Sequence, residues 1–350
     1  MKQLNECLVC GNKNLKVYCD MGQMPLVNNL KGSPEEKDLI FPLLVNECPV
    51  CTHKQLSVSV DRELLFKDYF YQTGASQKHM DFFYEFTKQL KGQTVLDIGC
   101  NDGSLMFQLS NYDFSVVGVD PSGLPNDYDL PVIKDFFPTK EPIVGKFDNV
   151  IAFNVFAHND DPKTFLIEMS KLLKQEGRIY ILTTPARLDN FYHEHISYFT
   201  PQSMMILAQR CGVEVVSFKT VSMHGESYLF EIKRLWKTTG EKAVEDWIKE
   251  NNYRKSIKTR KNPLVAYGAS ASETVLFNYY KIRPEYVVDD NPLKQGKFMP
   301  GTNSPIVSCE TLEKDPRDLT IIVAHHLFDE ISAKIRKLRP NHKDTFERLI

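Results

Sequence analysis

The run TVLDIGCNDGSLMFQLSN, residues 94–111, constrains the fold more than any other stretch of the chain. Its apolar start reads as a buried strand and stops at Asp97 and Gly99. Small residues follow, and from Ser104 the apolar spacing becomes that of an amphipathic helix. A strand that feeds a helix through a tight turn admits only small residues at the turn, and it aims the first helical amides at a ligand beyond the sheet edge. The next run, SVVGVDPSG, is a second apolar strand ending in Asp120. A carboxylate there can accept hydrogen bonds from a ribose diol, as in dinucleotide folds. The spacing G-x-G-x-x-G is missing, which disfavours a pyrophosphate-bearing NAD. A carboxylate inside the loop repels phosphate and attracts an ammonium group. The ligand that joins an adenosyl group to an amino acid is S-adenosylmethionine (SAM).

Two further strands, FDNVIAFN and GRIYILTTP, are separated by the helix DDPKTFLIEMSKLLKQEG, and VEVVSFKTV with SYLFEIKRL would complete the sheet. Strands alternating with helices predict a doubly wound α/β domain whose ligands sit at the carboxyl ends of the strands. Asp97, Asp120, Asn154 and the segment after Pro185 are therefore expected to converge on one crevice. Later in the chain LVAYGASASETVLFNYY repeats the strand, small-residue turn and helix, and PEYVVDDNP and LTIIVAHHLFDEISAKI extend the pattern. This predicts a second Rossmann-like unit of about ninety residues. Its turn Tyr267-Gly268-Ala269-Ser270 and the carboxylates Asp289 and Asp290 can hold a nucleotide or a sugar. Equally, Gly268 can serve only close helix packing and the aspartates only cap a turn.

Cys7-Leu-Val-Cys10 and Cys48-Pro-Val-Cys51 are two C-x-x-C knuckles, a spacing that lets each tight turn aim two thiolates at one tetrahedral Zn²⁺. Together they supply a closed four-sulfur shell, so the expected zinc is structural and staples an N-terminal segment too small for a good core. His53 can replace a sulfur but reads better as a surface residue. Cys19, Cys100, Cys211 and Cys309 lack partners at metal spacing and read as small core residues.

At 350 residues the chain is long enough for two or three domains, and 42% hydrophobic with 25% charged residues is a globular composition. No segment approaches the roughly 20 apolar residues of a membrane helix, and the start MKQLNECLVC lacks a signal-peptide core. A cytoplasmic protein with no membrane partner is expected. A net charge of −2 gives no field favouring nucleic acid, and the basic run 254–261 reads as a solvated helix face and linker. No nucleic-acid partner is expected.

The ordered motifs FPLLVNECPVC, LFKDYFYQTGAS, VLDIGCNDGSL, NVFAHNDD, NFYHEHISYFT, YGAS and VVDDNPLKQGKFMPGT extend over nearly the whole chain. The chain resembles the SAM-dependent sugar C-methyltransferases that act on nucleotide-linked 4-keto deoxysugars. The resemblance implies an α/β fold: a zinc-binding domain over 1–70, a class I SAM-methyltransferase (Rossmann-like) domain over 71–238 and a Rossmann-like, sugar-nucleotide-binding domain over 239–350. A monomer is expected. Carried over by motif, the residues around the sugar are Tyr192, Glu194, His195, His158 and one of Tyr69 or Tyr71. The SAM residues are Asp97, Gly99, Asn101, Gly103 and Asp120, with Asn154 nearby. Similar chains usually carry Gly-Gly-Ser where this one has His224-Gly225-Glu226-Ser227, a lysine near Ser272-Glu273, and Trp-Asn near His325-His326. These departures bear on which nucleotide sugar is taken, not on methyl transfer.

Within FYHEHISYF a metal role for His193 and His195 meets an objection. In an extended segment the two point one way, Glu194 points the other, and no third ligand is evident. Proton transfer has a mechanism. A carbon next to a ketone becomes nucleophilic only on losing a proton, and a neutral His195 can take it. Glu194 can orient an imidazole or grip a hydroxyl, while Tyr192, His158 and the N-terminal tyrosine can donate to the enolate oxygen. The expected activity is C-methylation next to the ketone, at C3, of a nucleotide-linked 4-keto-6-deoxysugar. The alternatives are O- or N-methylation of a nucleotide sugar and a non-catalytic sugar-nucleotide-binding protein.

Overall fold

The computed structural model describes residues 1–66, 72–122, 128–223, 225–235, 262–323 and 327–348. Two compact units result. The first holds Met1–Asp20, Leu44–Ala186 and His193–Asp246; the second holds Met21–Leu43, Arg187–Tyr192 and Trp247–Ile350.

The N-terminal strands are β1 (Lys2–Gln3), β2 (Lys16–Pro25), β3 (Ile40–Glu47), β4 (Lys54–Leu56) and β5 (Val58–Ser59), followed by the short helix α1 (Arg62–Phe66). Strands β2 and β3 each belong in part to both units. After α2 (Gln77–Thr87) come β6 (Thr94–Ile98), α3 (Ser104–Ser110), β7 (Ser115–Val119), β8 (Val132–Ile133), β9 (Phe147–Phe153), α4 (Pro162–Lys171), β10 (Leu173–Thr183), β11 (Ser197–Tyr198), α5 (Pro201–Arg210), β12 (Val213–Val221) and β13 (Ser227–Arg234). Seven of these strands form one sheet in the order β12-β13-β10-β9-β6-β7-β8. It is parallel from β10 to β8, with β13 antiparallel to both β10 and β12. This is the sheet expected of a class I methyltransferase domain.

Its central strands are apolar on both sides because helices cover both faces. Phe83, Phe86, Leu105, Met106 and Leu109 of α2 and α3 pack with Val95, Ile151 and Leu182 on one face. Phe165, Leu166, Met169, Met204 and Leu207 of α4 and α5 pack with Leu96, Val150 and Ile181 on the other. Burying a side chain of that size contributes about 1.5–3 kcal/mol. Each helix start on the second face is written locally. Asp161 accepts the Thr164 amide at 3.0 Å ahead of Pro162, and Thr200 and Ser203 form a capping box around Pro201. The helix expected to run through KLLKQEG ends instead at Lys171, and β10 begins at Leu173. A register shift between Leu173 and Arg178 brings Gly177 against the Phe147 and Asp148 carbonyls, where a Cβ would stand 3.0 and 3.1 Å away. Sheet pairing overrides the helical propensity of that stretch.

In the second unit β14 (Leu264–Tyr267), α6 (Ala271–Tyr279), β15 (Val287–Val288), β16 (Ile306–Val307), α7 (Cys309–Lys314), β17 (Thr320–Val323), α8 (Phe328–Leu338) and β18 (Thr345–Arg348) build a parallel sheet, β16-β15-β14-β17-β18. The chain works outward from β14 to β16, then crosses to β17, so the strand order reverses beside β14. That is where doubly wound sheets bind ligands. The N-terminal segment Met21–Leu43 belongs here: Lys31 and Phe298 exchange backbone hydrogen bonds of 3.2 and 3.0 Å, and the Gly301 amide donates to Asp38 at 2.9 Å. Lys31 is buried and donates its ammonium to Asp38 and Asn303.

Candidate active site and zinc centre

The two cysteine knuckles share one hydrogen-bond pattern. The Cys7 amide donates to the Asn12 carbonyl at 2.9 Å and the Gly11 amide to the Cys7 carbonyl at 2.8 Å. In the second, Cys48 donates to His53 at 2.8 Å and Thr52 to Cys48 at 2.9 Å. Each turn needs one left-handed residue, Gly11 (φ +77°) in the first and Thr52 (φ +60°) in the second. A threonine is costly in that conformation, so the second turn is held by its surroundings. Cys7 and Cys51 bring their sulfurs to 3.4 Å, Cys10 and Cys48 to 3.5 Å, and all four lie within 4.8 Å of one another. A tetrahedral zinc with bonds of about 2.3 Å needs sulfurs about 3.8 Å apart. The hydrogen bond from the Cys51 thiol lowers the Cys7 pKa to about 5, so Cys7 is already disposed to be a thiolate. His53 is not at the surface. It is fully buried, its ring tilted against Phe199 at 4.8 Å. Of the other cysteines only Cys100 is buried; Cys19, Cys211 and Cys309 are half-buried, and the Cys309 thiol meets Tyr267 and Asp290 at 2.9 and 3.2 Å.

The methyltransferase sheet gathers the expected loop residues at its carboxyl edge. Asp97 stands in register with Gly118 of β7 and Ile151 of β9. Gly99 (φ +74°) closes the loop onto the strand end after β9, because a Cβ there would stand 2.8 Å from that of Val155. Asn101 and Asn154 both adopt left-handed backbone, φ +51° and +55°, and Gly103 (φ +80°) precedes α3. Asp120 accepts the Asn101 amide at 2.9 Å and the Ser122 amide at 2.8 Å, which fixes its carboxylate while leaving lone pairs for a ligand. Asn101 accepts from the Thr73 amide and hydroxyl, and Asp102 accepts the Gly74 amide at 2.7 Å, so the segment before α2 is latched to the loop. Burial, with Asp120 and Asp102 close by, pushes the Asp97 carboxyl up to about 7. Among the described residues no hydrogen bond or ion pair reaches that carboxyl group.

Beside this loop, two imidazoles stack. The 3-10 turn Phe156–His158 follows β9 and ends on His158, whose ring lies 5.2 Å from that of His195 at 24°. Phe66 also stacks on His158, again at 5.2 Å. The Ile196 amide donates to the Ala157 carbonyl at 2.9 Å and the Leu56 amide to Ile196, tying the segment between the 3-10 turn and β4. Burial lowers the His158 pKa to about 4, so it is a neutral imidazole at physiological pH. His193, Glu194 and His195 are buried, and His193 and Glu194 form a turn with His195 directly after it, not the extended segment the sequence suggested. Among the described residues, neither histidine joins a metal-ligating group. Tyr192 falls in the second unit, while Tyr69, Tyr71, His224, the basic run 254–261 and His325-His326 lie outside the described residues.

One polar side chain that sequence reasoning passed over, Thr183, belongs to this edge. Thr183 ends β10 directly after Leu182, the partner of Phe153, and so stands beside Asn154; the Asn154 amide donates to the Leu182 carbonyl at 2.9 Å. The Thr183 hydroxyl and the Asn154 side-chain oxygen are both buried without a partner among the described residues. A polar threonine closing the apolar run IYILTT was the available signal.

Three family profiles match the chain in order. A zinc binding domain covers residues 7–66, a methyltransferase domain 69–218 and a C-methyltransferase C-terminal domain 241–344. The C-methyltransferase NovU of Streptomyces niveus is 26% identical over 95% of this chain and 92% of its own length. These matches make the chain a SAM-dependent C-methyltransferase. A tRNA U34 carboxymethyltransferase of Campylobacter lari is 29% identical but covers 28% of this chain and 38% of its own. The magnesium protoporphyrin IX methyltransferase of Synechocystis, solved with SAM, overlays with a TM-score of 0.37 at 18% identity over 45% of this chain and 80% of that one. The C-methyltransferase uses SAM as donor and zinc as its structural metal. The four thiols fit that metal, and the unpartnered Asp97 carboxyl and Asn154 oxygen fit a ligand bringing an ammonium group and hydrogen-bond donors.

Proposed function

We propose that the C-methyltransferase acts on the carbon next to the ketone, C3, of a nucleotide-linked 4-keto-6-deoxysugar, and that His195 removes the proton from that carbon. The buried stack of His158 on His195 carries the reading. SAM supplies an electrophilic methyl group. Everything else falls to the chain. Asp97 is the partner for the amino-acid ammonium, Asp120 for the ribose hydroxyls, and Gly99, Asn101, Gly103 and Asn154 shape the loop around them. His195 takes the proton and becomes an imidazolium. A second imidazolium 5.2 Å away would repel it by about 3 kcal/mol at an effective dielectric of 20, a cost that a neutral His158 avoids. His158 instead donates to the oxygen on which charge develops, joined by Tyr192 and by Tyr69 or Tyr71. Glu194, buried next to the base, orients an imidazole or grips a sugar hydroxyl. The C-terminal Rossmann-like unit binds a sugar nucleotide, with the β14–α6 turn as its site, and the protein works in the cytoplasm as a monomer.

Mass spectrometry with SAM and a panel of nucleotide-linked 4-keto-6-deoxysugars tests the transfer, with NMR to distinguish a C-methyl from an O- or N-methyl product. The base is tested separately. With S-adenosylhomocysteine in D₂O, the wild-type protein is expected to exchange the proton next to the ketone, and His195→Asn to lose that exchange on the order of 10²–10⁴-fold. A His195→Asn protein that keeps more than about a tenth of either rate sinks the assignment.

A further inference from the structure

The two cysteine knuckles repeat one hydrogen-bond pattern but differ in the residues that close the turn. The first has Gly11 in the left-handed conformation and then a half-buried Asn12; the second has Thr52 (φ +60°) and then a fully buried His53. Glycine adopts that conformation freely, whereas a β-branched threonine is strained in it. Neither ring nitrogen of His53 has a hydrogen-bond partner among the described residues. The second knuckle thus carries two locally unfavourable residues at positions its counterpart fills with glycine and asparagine. Strain of this kind persists where surrounding contacts over-determine it, and it concentrates at functional sites.

Both side chains, and the strand that follows them, face one segment. The Thr52 hydroxyl meets that of Thr200 at 2.8 Å, and the His53 ring lies 4.8 Å from Phe199. Lys54 pairs with Tyr198 and Gln55 with Ser197 in the β4–β11 ladder, and the Leu56 amide donates to the Ile196 carbonyl at 2.9 Å. Residues 52–56 therefore face residues 200–196 one for one, in a single antiparallel register. The inner end of this register abuts His195, which comes next in the chain and whose ring meets Tyr198 edge-on at 6.3 Å. Its flank leads to His158. Phe199 packs at 5.1 Å on Phe156, which opens the 3-10 turn ending in His158, and the Ile196 amide donates to the Ala157 carbonyl in that turn. Cys48, Cys51 and every residue of this contact lie in the first unit.

We propose that the second zinc knuckle is the template that positions His195, with Thr52 as the positioning residue that anchors its register. Cys48 and Cys51 fix the turn from which residues 52–56 start, and the Thr52 hydroxyl ties the far end of residues 196–200 to that turn. A one-residue slip of a ladder turns each side chain to the opposite face, so this register decides whether His195 meets His158. Thr52 acts through the ladder and touches no reacting atom. The inference rests on the proposed role of His195 only in its catalytic consequence.

Thr52→Gly separates positioning from folding, because it relieves the left-handed strain while removing the hydroxyl. In hydrogen–deuterium exchange of the zinc-loaded protein, the loss of that one hydrogen bond is expected to lower the protection of the Leu56 and Ile196 amides roughly three- to tenfold. Zinc content and the protection of β9 and β10 are expected to stay at the wild-type level, and Thr52→Ser to restore the lost protection. With S-adenosylhomocysteine and the keto-sugar in D₂O, Thr52→Gly is expected to slow exchange of the proton next to the ketone about tenfold or more, with the KM for the sugar unchanged. A threonine that merely kept the knuckle folded would move neither readout while zinc is retained. Unchanged protection of Ile196, proton exchange as fast as in the wild type, or protection lost only together with zinc overturns the proposal. A wild type that exchanges no sugar proton counts against the proposed activity, and the protection of Ile196 then decides the template by itself.

Discussion

Replacing Asp97 by Asn tests the electrostatics of the SAM loop. Asp97 is 2% exposed, and burial with Asp120 and Asp102 close by raises its pKa to about 7 from an ordinary 3.8, so without a ligand the acid is half protonated at neutral pH. A bound ammonium favours the carboxylate, and binding must then release that proton at acid pH. The affinity of the wild type for SAM is expected to fall about fiftyfold between pH 7 and pH 5, about 2 kcal/mol, because the ionised fraction drops from one half to about one hundredth. Above pH ~8 it declines again as the ligand's own α-amino group loses its proton. Asp97→Asn should bind weakly with no acid-side slope. The ligand-free protein should respond in the opposite sense. An acid with a raised folded pKa costs nothing below the unfolded pKa and its full penalty above the folded one, here about 4 kcal/mol once pH exceeds 7. Asp97→Asn is therefore expected to be more stable than the wild type at pH 8, with the gap closing toward pH 4. Isothermal titration calorimetry from pH 5 to 9 and denaturant melts provide both curves. A wild-type affinity flat from pH 5 to 8, or an Asn variant that binds as tightly at pH 7, would refute the reasoning.

Thr183→Val removes a buried, unpaired hydroxyl and is expected to raise stability by about 1 kcal/mol while lowering turnover, checked by urea melts against initial rates. Gly99→Ala drives a Cβ to 2.8 Å from Val155 at φ +74°, and should cost at least 1–3 kcal/mol with weakened SAM binding by calorimetry. Cys10→Ser, or chelation of the wild type, should remove one zinc equivalent by metal analysis and unfold the knuckles by near-UV circular dichroism, since binding energy there is folding energy. His158→Phe keeps the stack but removes a donor, and should lower turnover 10²–10³-fold, roughly 3–4 kcal/mol of barrier, with SAM affinity unchanged.

Much of the site was legible because its residues are neighbours in sequence or announce themselves by spacing. The knuckles, the loop after β6, Asp120 at the end of β7 and the Y-H-E-H run each carry their signal within a few residues, and Pro162, Pro201 and their caps mark helix starts equally locally. Thr183 and Asn154 could not be paired that way. Their juxtaposition depends on the register of β9 against β10. The same pairing turned KLLKQEG from helix into strand, a preference no single segment holds. His53 read as a surface residue because a polar side chain after a cysteine knuckle usually is one, and only packing against Phe199 buries it.

The sequence alone determined the chemistry: four thiols at metal spacing, an acidic small-residue loop between strand and helix, and imidazoles close to a strand end. Tertiary structure decided which of these act together, and with what charge. It removed water from Asp97 and His158, and so made a carboxyl seek a cation and an imidazole stay neutral. It also assigned Arg187–Tyr192 to one unit and His193 onward to the other. Ionisation depends on desolvation and on charges brought near by folding, neither of which is a property of a residue's neighbours in the chain.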